Sequence, residues 1–156
     1  MNVEIRENVP AWHLLAWRHV GPYWQIGPAF GKLMEWAGMH QAPIAGPTIG
    51  IYYDDPDSGK ETDLKSDACV VVAPGYEPSE TAEVRSLDMS GGKYAVYVHQ
   101  GSYAGLGDSW QRFMGEWFPG NGLEFDGMRE SFEVYLNSCG EVPEADLRTE
   151  LHIPVK

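Results

Sequence analysis

Two segments of the chain carry apolar residues at helical spacing, three or four positions apart. These residues are Ile26, Phe30, Leu33 and Ala37 in the first segment, and Leu106, Trp110, Phe113 and Trp117 in the second. Such spacing predicts one amphipathic helix in each segment. Because an isolated helix of this length is marginal in water, we expect both helices to bury their apolar stripes against a sheet.

Shorter extended segments, rich in β-branched and aromatic residues, surround each predicted helix. The predicted strands are 3–6, 12–18, 48–53, 68–72, 83–88, 93–99, 132–136 and 150–155. Residues 54–59 and 74–78 contain proline, glycine and acidic residues, and they are predicted loops. The second loop is expected to join the two halves of the chain.

The chain also repeats itself at a constant offset of 80 positions. The segment His19 to Tyr23 (HVGPY) aligns with His99 to Tyr103 (HQGSY), and the match continues through the predicted helices. We therefore expect one domain, 1–156, of α+β class, built from βαββ-like halves at about 1–78 and 79–156. Pseudo-twofold pairing of the halves would give a mostly antiparallel sheet with two helices on one face and a central groove.

Acidic residues dominate the charge of the chain, with 23 Asp and Glu against 11 Lys and Arg. A net charge of -12 repels a phosphate backbone, so we expect no direct nucleic-acid binding. The same charge suits a cationic ligand or a basic patch on a protein partner, although acidity also serves solubility alone. The chain shows neither a secretory leader nor an apolar run of membrane-spanning length, which favours a cytoplasmic protein without membrane association.

Neither a metal nor a cofactor is indicated by the motifs. The five histidines include no pair at the spacing of a helical zinc site, and we expect Cys69 and Cys139 to be reduced thiols. The glycine-rich segment 101–107 resembles a dinucleotide-binding turn, but its repeat counterpart carries Pro22 and Trp24. A turn that starts a helix explains both copies, and a hydrogen bond to local backbone explains the histidine before each turn.

A glutamate interrupts the apolar strand 132–136. Alternation places Glu133 and Tyr135 on one face of this strand and Phe132 on the other. In the strand 150–155, the residues Leu151, Ile153 and Val155 are expected to face the helices, which leaves Glu150 on the opposite face. If that opposite face lines the groove, one or two carboxylates lie among aromatic side chains.

Such a groove would suit a cationic aromatic ligand, with Glu133 as the anion and Tyr135, Tyr52 and Trp17 as aromatic walls. A glutamate beside a tyrosine could also position water or donate a proton to a strained electrophile. The alternative is a solvated sheet face without a function.

Four segments in order, 51–56 (IYYDDP), 72–76 (VAPGY), 91–96 (GGKYAV) and 132–137 (FEVYLN), resemble the signatures of GyrI-like proteins. The resemblance spans essentially the whole chain. It implies two βαββ-like halves around a groove, the module that serves as effector-binding domain in some transcription regulators, here without a DNA-reading element. The family's pocket glutamate maps onto Glu133.

The resemblance leaves three hypotheses open. The first is sequestration of a small cationic or planar aromatic molecule, which would protect against a toxin or drug. The second is inhibition of DNA gyrase through protein–protein contact, as associated with stand-alone members of the family. The third is hydrolysis of cyclopropane-bearing DNA alkylators, known from other members, so the resemblance leaves enzymatic activity open.

Overall fold

A computed structural model describes residues 1–79, 83–138 and 140–156, and it shows an α+β fold, as predicted. The strands are β1 (Val3–Val9), β2 (His13–Val20), β3 (Ile44–Tyr52), β4 (Lys65–Val72), β5 (Val84–Asp88), β6 (Gly92–Gln100), β7 (Ser131–Tyr135) and β8 (Arg148–Pro154). The helices are α1 (Gly27–Met39) and α2 (Leu106–Arg112), and α2 continues into a π-helical turn, Phe113–Trp117. Within the described residues, no helix has the length and apolar character needed to cross a membrane.

The chain forms two compact units of similar construction. One unit comprises residues 10–91 and holds α1 and four strands in the order β3-β4-β2-β5. The other comprises residues 1–9 and 92–156 and holds α2 and four strands in the order β1-β6-β8-β7. Strand pairing within each unit is antiparallel, which agrees with the predicted mostly antiparallel class.

The units differ from the expected halves in the placement of two short strands. Strand β1, expected in the first half, belongs to the unit with residues 92–156, and β5, expected in the second half, belongs to the 10–91 unit. Strand β1 pairs with β6, with Val3 opposite Tyr97, and β5 pairs with β2, with Val84 opposite Trp17. The loop 74–78 therefore connects β4 to β5 inside one unit, and the prediction that it joins the halves is wrong. Hydrogen bonding between strands, rather than their order in the chain, decides which unit a strand completes.

Each helix packs its apolar stripe on its own four strands. In the 10–91 unit, Leu33 of α1 lies in a fully buried cluster with Leu15, Val70, Val72 and Val84. Complete burial of one such side chain contributes about 1.5–3 kcal/mol. In the other unit, Phe113 packs on Ala95, Leu151, Ile153 and Val155, which confirms the predicted helix-facing side of β8.

The start of each helix follows the same backbone path. Gly21 and Gly101 have φ angles of +132° and +115°, a region that favours glycine, and each amide donates a hydrogen bond to a carbonyl of its own unit. The accepting oxygens belong to Leu64 and Leu147, at 2.7 and 2.8 Å. The glycines thus make the helix-starting turns that the repeat predicts.

The histidines of the repeat support those turns. Nε2 of His19 donates to the carbonyl oxygen of Pro22, and Nε2 of His99 donates to that of Ser102, both at 2.9 Å. The expected hydrogen bond to local backbone is confirmed in both copies. Cys69 is a buried free thiol, whereas Cys139 lies outside the described residues.

Candidate functional site

A buried carboxylate bound by two aromatic side chains is the main polar feature of the unit formed by 1–9 and 92–156. Glu133, on β7, has only 3% of its surface exposed. Its Oε1 accepts a hydrogen bond from the indole Nε1 of Trp110, and its Oε2 accepts one from the hydroxyl of Tyr135, both at 2.7 Å. We call these residues, together with Tyr103, the Glu133 cluster.

The orientation of Glu133 differs from the prediction. On the antiparallel pair β7 and β8, Glu133 lies opposite Leu151, and directly opposed residues point to the same face. Since Leu151 packs against the helical segment, Glu133 faces α2, where Trp110 meets it. Glu150 lies opposite Val134 on the other face, so the prediction that both carboxylates share the face away from the helices is wrong.

Aromatic rings border the carboxylate. The rings of Tyr103 and Tyr135 meet edge to face, with centroids 5.8 Å apart. Tyr103 is 38% exposed, so the aromatic edge of the cluster is accessible to solvent. The cluster therefore combines an accessible aromatic rim with a buried anion.

Trp110 is a functional candidate that the sequence analysis places on the apolar stripe of the second helix but not among the site residues. It lies on the apolar stripe of α2, and its ring stacks near Phe113, with centroids 6.3 Å apart. A signal was present in the repeat, because Trp110 stands where the first copy has Phe30. Trp110 is half-buried, and its indole N–H finds its partner in Glu133.

Glu150, another predicted site residue, belongs to a separate ion pair. Its Oε2 lies 2.8 Å from a terminal nitrogen of Arg6, and its Oε1 lies 3.9 Å from Nε2 of His152. His152 is buried and stacks on Phe132, with centroids 4.3 Å apart. Burial lowers the pKa of His152 to about 3, so at neutral pH its ring is uncharged beside Glu150.

Tyr52 and Trp17, the remaining predicted site residues, belong to the 10–91 unit. Tyr52 contacts Tyr23 edge to face, with ring centroids 4.8 Å apart. Trp17 packs beside α1, and Nζ of Lys32 lies 5.9 Å from the centroid of its ring. The structure thus brings Tyr135 to Glu133, while the roles predicted for Tyr52 and Trp17 at the same ligand stay predictions.

The donors around Glu133 define what the cluster can do chemically. The indole N–H of Trp110 and the hydroxyl of Tyr135 are neutral donors, and they bind one carboxylate oxygen each. Among the described residues, no group of three or more His, Cys, Asp or Glu side chains is arranged to hold a metal ion.

Comparison with known proteins identifies relatives over the full length of the chain. The family model described as the GyrI-like small molecule binding domain matches residues 1–156. A protein of Erwinia billingiae named DNA gyrase inhibitor is 32% identical, with 99% of this chain and 97% of that protein covered. DNA gyrase inhibitor 1 of Dickeya dadantii is 29% identical, with coverages of 96% and 97%.

Solved structures share the fold at lower sequence identity. The C-terminal domain of EcmrR superposes with a TM-score of 0.79 at 18% identity, with 99% of this chain and 97% of that chain covered. A protein determined with bound tetraphenylphosphonium superposes with a TM-score of 0.63 at 13% identity, with coverages of 100% and 94%. At these identities, the likeness establishes the fold alone.

Proposed function

Since the chain belongs to the GyrI-like small-molecule-binding family, we propose that its Glu133 cluster binds small organic cations that carry aromatic groups. The observation that carries this proposal is the buried carboxylate of Glu133, held by Trp110 and Tyr135. Glu133 supplies the charge, and the aromatic side chains supply the contact area.

Burial makes the carboxylate an effective partner for a cation. Moving a carboxylate out of water costs several kcal/mol, and neutral donors offset part of that cost. A cationic group placed beside Glu133 would offset more of it, because charges attract more strongly at the low effective dielectric of a protein interior. The net charge of -12 adds a weaker, long-range attraction for cations.

The aromatic residues favour cations with a flat apolar body. Tyr103 and Tyr135 present ring faces and edges beside the carboxylate, and a cation over an aromatic face gains about 0.5–2 kcal/mol. The structural relative solved with tetraphenylphosphonium supports this class of ligand, since that ion has one positive charge and four aromatic rings.

The test is calorimetric titration with tetraphenylphosphonium, comparing the parent protein with Glu133→Gln. Loss of a buried charge partner costs about 2 kcal/mol or more, so we expect the variant to bind at least about thirtyfold more weakly. Triphenylphosphine oxide, a neutral compound of similar shape, should not distinguish the two proteins.

Glu150→Gln is the matched control, because it removes one carboxylate of the same unit from an ion pair with Arg6. It should leave the affinity for tetraphenylphosphonium unchanged, and thermal unfolding should show both variants folded. Equal affinity of Glu133→Gln and the parent protein, or equal losses in the two variants, would overturn the proposal.

Inhibition of DNA gyrase is a second candidate function, favoured by the names of the Erwinia and Dickeya relatives. Under this hypothesis, purified protein reduces supercoiling of relaxed plasmid by gyrase, and the effect weakens with added salt as surface charges are screened. Adding tetraphenylphosphonium to the same assay asks whether ligand binding and inhibition are coupled. Unchanged supercoiling at low ionic strength and a large molar excess of protein would exclude direct inhibition.

A further inference from the structure

A cavity of about 580 Å³ lies on the 10–91 unit, between the end of β2, the turn 23–25 and the start of α1. Its volume is sufficient for a drug-sized ligand. The residues that line it are Trp17, Arg18, His19, Val20, Trp24, Gln25, Pro28, Ala29 and Lys32. All of them belong to the 10–91 unit, whereas the Glu133 cluster belongs to the other unit.

Trp24 is the most unusual residue of this cavity. Its side chain is 76% exposed, although large aromatic residues are mostly covered in folded proteins. The ring is nevertheless held in one orientation, because its Nε1 donates a hydrogen bond to Oε1 of Glu61 at 3.1 Å. Trp24 therefore provides a fixed aromatic wall open to solvent.

Lys32 and Arg18 are the basic residues that line the cavity, and the carboxylate of Glu61 lies beside Trp24 at its rim. The ammonium of Lys32 lies 5.9 Å from the centroid of Trp17, so a positive charge already occupies the position where a cationic ligand would stack on that ring. Nε of Arg18, in contrast, donates to the buried carboxylate of Asp67 at 2.9 Å. A cationic ligand is disfavoured here, and an anionic group would pair with Lys32.

We infer that this cavity is a second binding site, for planar aromatic molecules that carry a carboxylate or another anionic group. The aromatic body lies against Trp24 and Trp17, and the anion pairs with Lys32. The preference is opposite in charge to that of the Glu133 cluster. Only the first copy of the repeat carries this set, since Ala104 stands where the first copy has Trp24.

Three probes of one shape test the charge preference: 2-naphthoate, neutral 2-naphthamide and cationic 2-naphthylmethylammonium. In ligand-observed NMR titrations, the affinity should decrease from naphthoate to naphthamide to naphthylmethylammonium. Lys32→Gln should remove the preference for naphthoate over naphthamide, a two- to fivefold effect typical of about 0.5–1 kcal/mol for an exposed ion pair. Lys65→Gln removes the same charge from an exposed position outside the cavity and should preserve the ranking.

Trp24→Ala tests the aromatic wall, and it should weaken both naphthoate and naphthamide about tenfold, as expected for a lost stacking partner. Because Trp24 and Lys32 are exposed, neither substitution should lower the thermal midpoint appreciably. Glu133→Gln should not change naphthoate binding, which separates this site from the proposed cation site. Unchanged naphthoate affinity in Trp24→Ala, tighter binding of the cation, or no binding at millimolar naphthoate would overturn the inference.

Discussion

The two units share a scaffold but differ at the positions that form the Glu133 cluster. Tyr135 in one unit corresponds to Tyr52 in the other, because each lies opposite the equivalent hydroxyl residue of the neighbouring strand. By the same register, Glu133 corresponds to Gly50, and Trp110 corresponds to Phe30 in the repeat. At these two positions, therefore, one copy has glycine and phenylalanine, whereas the other has a carboxylate bound by an indole.

A second difference concerns the opposite face of the strands. Asp67 of β4 corresponds to Glu150 of β8, and both carboxylates pair with arginine. Asp67 is completely buried and binds Arg18, Arg85 and the hydroxyl of Tyr53, whereas the side chain of Glu150 is 12% exposed. At this pair of positions both carboxylates hold arginine, and Asp67 does so in the more buried environment. The carboxylate with a proposed ligand role is Glu133, which lies on the opposite face from Glu150.

Asp67→Asn should give the largest loss of stability. It leaves Arg18 and Arg85 beside an uncharged group, and breaking a buried ion pair costs about 3 kcal/mol. Glu150→Gln, at the equivalent and more exposed position, should cost only about 1 kcal/mol. Urea unfolding followed by circular dichroism measures both, and equal losses would show that the two carboxylates do not differ in structural role.

Acid should destabilise the protein through His152, which corresponds to Cys69 in the other copy. Burial lowers the pKa of His152 to about 3, below the ordinary value of 6.5, so between these values the unfolded chain binds a proton that the folded protein does not. The contribution of His152 to the free energy of unfolding is therefore complete above pH 6.5. Below pH 6.5, the free energy of unfolding falls by up to about 1.4 kcal/mol per pH unit. The loss between pH 6.5 and 5 should be about 2 kcal/mol in urea titrations.

His152→Leu should abolish this loss of stability in acid. If the free energy of unfolding of the variant falls with pH as steeply as that of the parent protein, other groups cause the loss.

His13 should change stability with pH in the opposite direction, because its hydrogen bond to Asp88 and that to the carbonyl of Tyr76 raise its pKa. Its contribution is complete below pH 6.5 and is lost as the pH rises through the raised value. His13→Gln should therefore change the alkaline side of the stability profile and leave the acid side unaltered.

Trp110→Phe, which makes the second copy resemble the first, should have a smaller effect than the changes at Asp67 and His152. The variant removes the N–H donor from Oε1 of Glu133, and a hydrogen bond to a charged group contributes about 1.5 kcal/mol. Trp117→Phe makes the same change of ring on the neighbouring π-helical turn and controls for lost packing. If both variants lose equal stability, the indole of Trp110 acts through packing alone.

Much of this fold could be predicted from the sequence, because the repeat and the apolar periodicity are local signals. The helices begin within a residue of where the spacing places them, and all eight predicted strands overlap observed ones. The exchange of β1 and β5 could not be predicted, since two short strands with similar patterns compete for equivalent edges. Chain order is a poor guide to pairing in that situation.

The candidate site was predicted less completely. The sequence singles out Glu133 and Tyr135 because a carboxylate is costly in an apolar strand, which makes it conspicuous. Alternation separates the two faces of a strand but does not say which face meets a helix, so this pattern predicts Glu133 and Glu150 on one face. Only the register between β7 and β8 resolves this, and register depends on contacts distant in sequence.

The exchange of strands also affects the order in which the protein can fold on the ribosome. The 10–91 unit is continuous, so all of its strands have been synthesised by residue 91. The unit that carries Glu133 needs β1 from the start of the chain and β8 from its end. During translation, β1 therefore stays unpaired until β6 and β8 have been synthesised, and the unit that carries Glu133 is completed last.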